Sequence, residues 1–146
     1  MRGRRILAVA FLLSTGACIL PARSFGAYEE KAATTAEAVL SAVEEARLVI
    51  RLSAERKGFA AYMTTLIDEA EDDASSAQST FESIQPPDDS SRALADALAP
   101  FLDAAVGAIE DMRVAARSGR LHELPRAHST LHYASSGLKR FLEEHS

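Results

Sequence analysis

The sequence contains no tryptophan, a single cysteine, seven glycines and five prolines, and aromatic residues make up only 6% of it. Each scarcity excludes something. With so few aromatics and an abundance of alanine, the composition suits helices and not sheets. The five prolines fall between or near the ends of the periodic segments. One cysteine cannot form an internal disulfide. The Cys-x-x-Cys-His signature of a c-type haem is absent, and no Glu is followed by His three residues on, as a di-iron bundle requires. There is no Gly-x-Ser-x-Gly elbow, and the scattered glycines make no phosphate-cradling loop. A basic stripe is missing too. Beyond residue 17 the chain carries 13 basic and 21 acidic residues. That balance argues against nucleic-acid binding, and against attraction to an anionic membrane apart from any anchor.

What is present is a short signal-like segment followed by four stretches of three-four apolar spacing. Arg2, Arg4 and Arg5 precede the apolar run Ile6 to Leu13 and the small residues Ser14-Thr15-Gly16-Ala17. This is the pattern of a secretory signal, too short to span a bilayer as a helix. Charge alone accounts for Arg4-Arg5, whose flanks fit a twin-arginine signal poorly.

Two processing routes stand open. Thr15-Gly16-Ala17-Cys18 resembles a bacterial lipobox, with Thr15 where that motif usually has Leu. The resemblance implies cleavage before Cys18, diacylglycerol on its sulfur and a tether from Ile19 to Gly26. The other route is ordinary cleavage after Ser24-Phe25-Gly26, which discards Cys18 and releases a secreted protein starting at Ala27. An uncleaved anchor is the remaining alternative. Residues 1–26 are accordingly read as signal and tether, and 27–146 as the folded domain.

The first helix is expected over about 28–57, with Ala32, Ala36, Val39, Val43, Ala46 and Ile50 inward. Glu29 and Glu30 fall in its first turn, Arg56 and Lys57 in its last, and Gly58 stops it. The second, about 59–84, has Phe59, Met63, Leu66, Ala70, Ala74, Ala77, Phe81 and Ile84 on one face, and Pro86-Pro87 end it. The third, about 90–117, buries Leu94, Leu98, Phe101, Ala105, Ala108, Met112 and Ala115, with a kink or short break at Pro100. The fourth, about 121–145, buries Leu124, Ala127, Leu131, Ala134, Leu138 and Phe141, with Pro125 in or just past its first turn. Short connections between long helices predict an all-α, antiparallel up-down four-helix bundle. Splitting the third helix at Pro100 is the architectural alternative.

Candidate sites are few. His128 and His132, four apart on one helix, have the spacing of a two-histidine zinc or copper site, to which Glu110 or Asp111 could add a carboxylate. Two solvated imidazoles are the simpler reading. Met63 or Met112 with one histidine could hold a b-type haem, although methionines at core spacing are usually core. The acidic run Asp68 to Asp73 splays over a helix face and reads as solvated, without the loop-borne spacing of a calcium site. Arg47 and Asp73 come to similar heights and form a candidate structural ion pair. From Leu48 to Leu52 the first helix is apolar nearly all round, with Leu48 and Leu52 outside the core stripe: a wide buried face is the simpler reading, and excess apolar surface at Leu48, Val49 and Leu52, suited to a partner protein or a second copy, is the sharper one.

The segments Tyr28-Glu29-Glu30-Lys31, Ala70-Glu71-Asp72-Asp73-Ala74 and Phe81-Glu82-Ser83-Ile84-Gln85-Pro86-Pro87-Asp88 resemble small exported or lipid-anchored helical-bundle proteins of high-GC Gram-positive bacteria. That group carries no established activity. The resemblance implies a compartment and a fold, and no catalytic residue.

Overall fold

A computed structural model describes residues 23–145. The signal motif, the lipobox and Cys18 lie outside the described residues. Four long helices follow one another, α1 Phe25–Ala54, α2 Ala60–Glu82, α3 Asp89–Arg117 and α4 His128–His145, with a 3-10 segment Leu121–Ala127 leading into α4. They form the expected antiparallel four-helix bundle. Helix α1 packs against all three others, and α2 and α4 lie diagonally opposite. No helix among the described residues is long and apolar enough to cross a membrane.

Helix α1 begins three residues earlier than its apolar spacing indicates. Ser24 is extended and its hydroxyl accepts from the Ala27 N–H at 3.3 Å, an N-cap that the apolar pattern cannot reveal. Phe25 packs on the core and Tyr28 is buried, so Glu29 and Glu30 fall beyond the first turn. All six predicted inward positions of α1 are buried, joined by Thr35, Ala42 and Val49. Alanines at 32, 36, 42 and 46 face this interior, as do Ala70 and Ala74 of α2, which lets neighbouring backbones approach closely.

The end of α1 also differs from expectation. The helix stops at Ala54, and the left-handed residue that closes it is Arg56 (φ 53°), not Gly58. Arg56 N–H donates to Ser53 O at 3.2 Å and Lys57 N–H to Leu52 O at 3.1 Å, the paired bonds of a Schellman turn. Helix α3 closes in the same way at the same end of the bundle. There Gly119 (φ 71°) occupies the left-handed position, with Gly119 N–H on Ala116 O and Arg120 N–H on Ala115 O. A side chain at that position costs about 1 kcal/mol relative to glycine, so α1 closes on a strained residue where α3 does not.

In α2 the inward stripe is Met63, Ile67, Ala70, Ala74 and Phe81, continued by Ile84 beyond the helix end. Ile67 takes the place expected for Leu66, which is half-buried. Phe59 is 86% exposed, because the chain is extended there and α2 starts one residue later, swinging its ring off the stripe. Helix α3 runs unbroken through Pro100, which excludes the split-helix alternative. Pro100 is exposed, so water can satisfy the carbonyl four residues back that lost its partner. Leu102 and Ile109 are more deeply buried than Phe101. The fourth segment is α-helical only from His128. Pro125 has no N–H for an α bond to Leu121 O, and the stretch before it is wound as a 3-10 helix with Leu124 buried.

Candidate functional site

The polar groups that the fold brings together are those along its helix seams. Between α1 and α4, Glu44 Oε1 accepts from the Ser135 hydroxyl at 2.9 Å and from Lys139 Nζ at 3.0 Å. Arg47 Nη1 donates to both Glu44 oxygens, at 2.9 and 3.2 Å, and stands 3.5 Å from Ser135 Oγ. Ser135 is only 2% exposed, so its hydroxyl depends on this partner. Burial works to raise the Glu44 pKa, but the hydrogen bonds from Lys139 and Ser135 and the charge of Arg47 outweigh it. The carboxyl is held below the ordinary range.

This cluster corrects the expected Arg47–Asp73 pair. Arg47 turns towards α4 and not towards α2, because Glu44, one turn back on its own helix, holds it there. Asp73 instead belongs to an acidic seam between α1 and α2. Burial, then the nearby charges of Glu69 and Asp73, push the Glu45 carboxyl up.

The run Asp68 to Asp73 is likewise not wholly solvated. Asp68 meets Arg117 at 3.0 Å and Glu71 meets Arg113 at 3.4 Å, fastening α2 to α3. The Glu71 side chain is only 12% exposed. A helix read alone shows five carboxylates on an arc, but not that two of them face arginines of the neighbouring helix.

The shifts of Glu44 and Glu45 predict opposite responses to acid. Glu44 is depressed, so its stabilisation is present above the unfolded value and is lost as pH falls through the folded one. Glu45 is raised, so its repulsion is full above its folded pKa and is relieved as pH falls towards it. Glu44→Gln is therefore expected to lower stability at neutral pH and to flatten its acid loss below about pH 4.5, the ordinary value. Glu45→Gln should raise stability at neutral pH, a gain that shrinks in acid. Both effects stay within about 1 kcal/mol because these groups are partly exposed. Urea midpoints at pH 7 and pH 3.5 test the pair.

The histidines proposed as metal ligands are both exposed on α4. Glu110 and Asp111 line a groove of about 590 Å³ between α3 and the 3-10 segment, whose other wall carries Arg120, Glu123 and Arg126. Neither His128 nor His132 lines it. No three His, Cys, Asp or Glu side chains among the described residues converge as metal ligands. Met63 and Met112 are buried in the core, at 4% and 2% exposure.

Of the two readings of Leu48, Val49 and Leu52, the wide buried face is the one the structure shows for Val49 and Leu52. Val49 is fully buried and Leu52 packs against the core, leaving Leu48 at 41% exposure. A wider buried face, reaching both α2 and α4, absorbs them. The large exposed apolar side chains lie elsewhere, at Phe59, Tyr62, Val114 and Tyr133. No family model, curated protein or solved structure matches the chain.

Proposed function

We propose that this is a non-enzymatic, extracytoplasmic bundle held at the cell membrane by a lipid on Cys18, acting by binding an envelope partner or a second copy. The observation that carries the anchor is the start of α1. Ser24 caps the helix and Phe25 packs on the core. Cleavage after Gly26 would remove both and leave the new terminus inside the first turn. Cleavage before Cys18 keeps the helix whole and leaves a tether of some six residues, spanning at most about 20 Å.

A binding role is supported by the state of the polar side chains. The Ser135 hydroxyl donates to a carboxylate that Arg47 and Lys139 also hold, so the best-formed polar cluster is closed on itself and presents no free nucleophile. Its geometry is that of a clamp between α1 and α4.

The test is the intact mass of the protein recovered from the membrane and soluble fractions of a bacterial host. The expected species is membrane-bound and begins at Cys18 with added diacylglycerol, and Cys18→Ser abolishes the lipid-bearing mass. A soluble species beginning at Ala27 would overturn the anchor. A partner or second copy should survive in the native mass of the same preparation, and a bare monomer at every concentration would count against it.

A further inference from the structure

The turn between α1 and α2 carries two residues that the fold does not want. Arg56 takes a left-handed conformation that glycine fills in the matching turn after α3. Phe59 stands at the N-cap of α2, where Ser, Thr, Asp or Asn would bond the free N–H groups, and it makes no such bond. Its ring packs on nothing, at 86% exposure, and Tyr62 is 57% exposed one turn further on. Residues that break local rules without a packing return mark function more often than folding.

The charges around these rings are mostly basic. From Arg51 to Tyr62 there are three basic residues, Arg51, Arg56 and Lys57, against the single acid Glu55. Lys57 pairs with Glu55 at 2.7 Å, and Arg51 and Arg56 have no acidic partner among the described residues. The Ser53 hydroxyl donates to Leu121 O at 3.2 Å, so the 3-10 segment lies at the same end, where Arg120 and Arg126 share the one carboxylate of Glu123. The acidic excess of the chain is elsewhere. Of the nearest carboxylates on α2, Asp68 is matched by Arg117, and the exposed Glu69 lies about 15 Å along the helix from Phe59. Exposed charges more than about 10 Å away are largely screened at physiological salt.

We infer that the α1–α2 turn docks on an anionic phospholipid surface, with Phe59 and Tyr62 entering the headgroup region and Arg51, Arg56 and Lys57 on the phosphates. Aromatic rings flanked by cations are the chemistry of a bilayer interface. Such docking runs against the expectation, drawn from net charge alone, that the folded domain is repelled by such a surface, and the experiment below decides between them. The turn lies about 45 Å along α1 from Ser24, at 1.5 Å per residue. An anchored bundle therefore brings it to the same bilayer by lying along the surface. The inference does not rest on the lipid: the two attachments use opposite ends of α1 and fail separately.

The chain has no tryptophan, so Phe59→Trp places a single tryptophan at the site, excited at wavelengths where the three tyrosines do not absorb. The full chain carrying Phe59→Trp and Cys18→Ser is titrated with phosphatidylcholine vesicles containing or lacking phosphatidylglycerol. Emission is expected to move to the blue, and to be quenched by brominated acyl chains, with the anionic vesicles only. Adding Arg56→Gly and Lys57→Gln should raise the lipid concentration for half the shift roughly thirtyfold, as the loss of two cations near the surface implies. In a parallel thermal melt without Trp, Phe59→Ser and Arg56→Gly are each expected to leave the fold intact or firmer. A structural role for these residues would instead lower the melting temperature and overturn the inference. So would an emission that stays at its aqueous position with both vesicles, or that shifts equally with both.

Discussion

Phe81→Ala is expected to cost about 3–5 kcal/mol, the usual range for truncating a buried aromatic. Phe81 is 4% exposed near the end of α2, and its ring meets Tyr28 of α1 with centroids 5.2 Å apart and planes tilted by 45°. The loss combines buried area, a residual cavity and a ring pair worth about 1 kcal/mol beyond its area. No other aromatic pair joins α1 to α2 among the described residues, and Tyr28 would be left facing the void. Domains of this size hold about 5–15 kcal/mol in total, so the variant should unfold at much lower urea with an unchanged slope. Phe81→Leu should recover most of the loss, since it keeps most of the volume. A loss below about 1 kcal/mol for the alanine variant would mean that the site collapses to fill the void.

Phe59 and Phe81 sit on the same helical stripe when the sequence is read alone, yet one is nearly bare and the other nearly buried. Periodicity reports which residues share a face while the helix lasts, and it carries no notice of where the helix starts. The four helices and the central inward stripe of α1 were legible because a chain with so much regularly spaced apolar surface has one good way to bury it. Three kinds of feature were not. The first is the ends, where Ser24, Arg56 and Pro125 act through single hydrogen bonds and dihedral angles that leave apolar spacing untouched. The second is the partner of each charge. Arg47 could face α2 or α4, and the choice falls to Glu44, Ser135 and Lys139, the last two lying about 90 residues away in sequence. The third is the breadth of the buried face: apolar spacing leaves a wide buried face and a surplus patch both open at Val49, and the choice comes only when α1 is seen to pack against three neighbours.

The charge distribution shows the same limit on a larger scale. An excess of acid over base implies repulsion from anionic surfaces only if the charges are spread evenly. The bundle instead uses Asp68 and Glu71 to hold α2 against α3, and Glu29 and Glu44 to hold α1 against α4, and leaves Arg51 and Arg56 without acidic partners among the described residues at one turn. Net charge is a property of composition. What a surface feels within a Debye length is a property of the fold.

Gly137→Val is the second large effect, and the one least visible in the sequence. Glycine inside a helix costs about 1 kcal/mol relative to alanine, so its place in the middle of α4 calls for a reason. The reason is the ring of Phe101 on α3. A Cβ built on Gly137 would overlap Cδ1, Cε1 and Cγ of that ring, which also lies against Tyr133, one turn back on α4, at 5.4 Å. Gly107, on α3, has nothing within 4 Å and carries no such requirement. Valine at 137 must push Phe101 out of its seat or part α3 from α4, an overpacking cost of roughly 2–3 kcal/mol. The decisive measurement is a double-mutant cycle with Phe101→Ala. Once the ring is gone, valine meets open space and its better helix propensity acts alone, so its cost should vanish, giving a coupling of roughly 2 kcal/mol. Additive effects would mean that Gly137 is kept for its backbone conformation and not for the ring. That outcome is not expected, because residue 137 is ordinary right-handed helix and the ring is what fills the space above it.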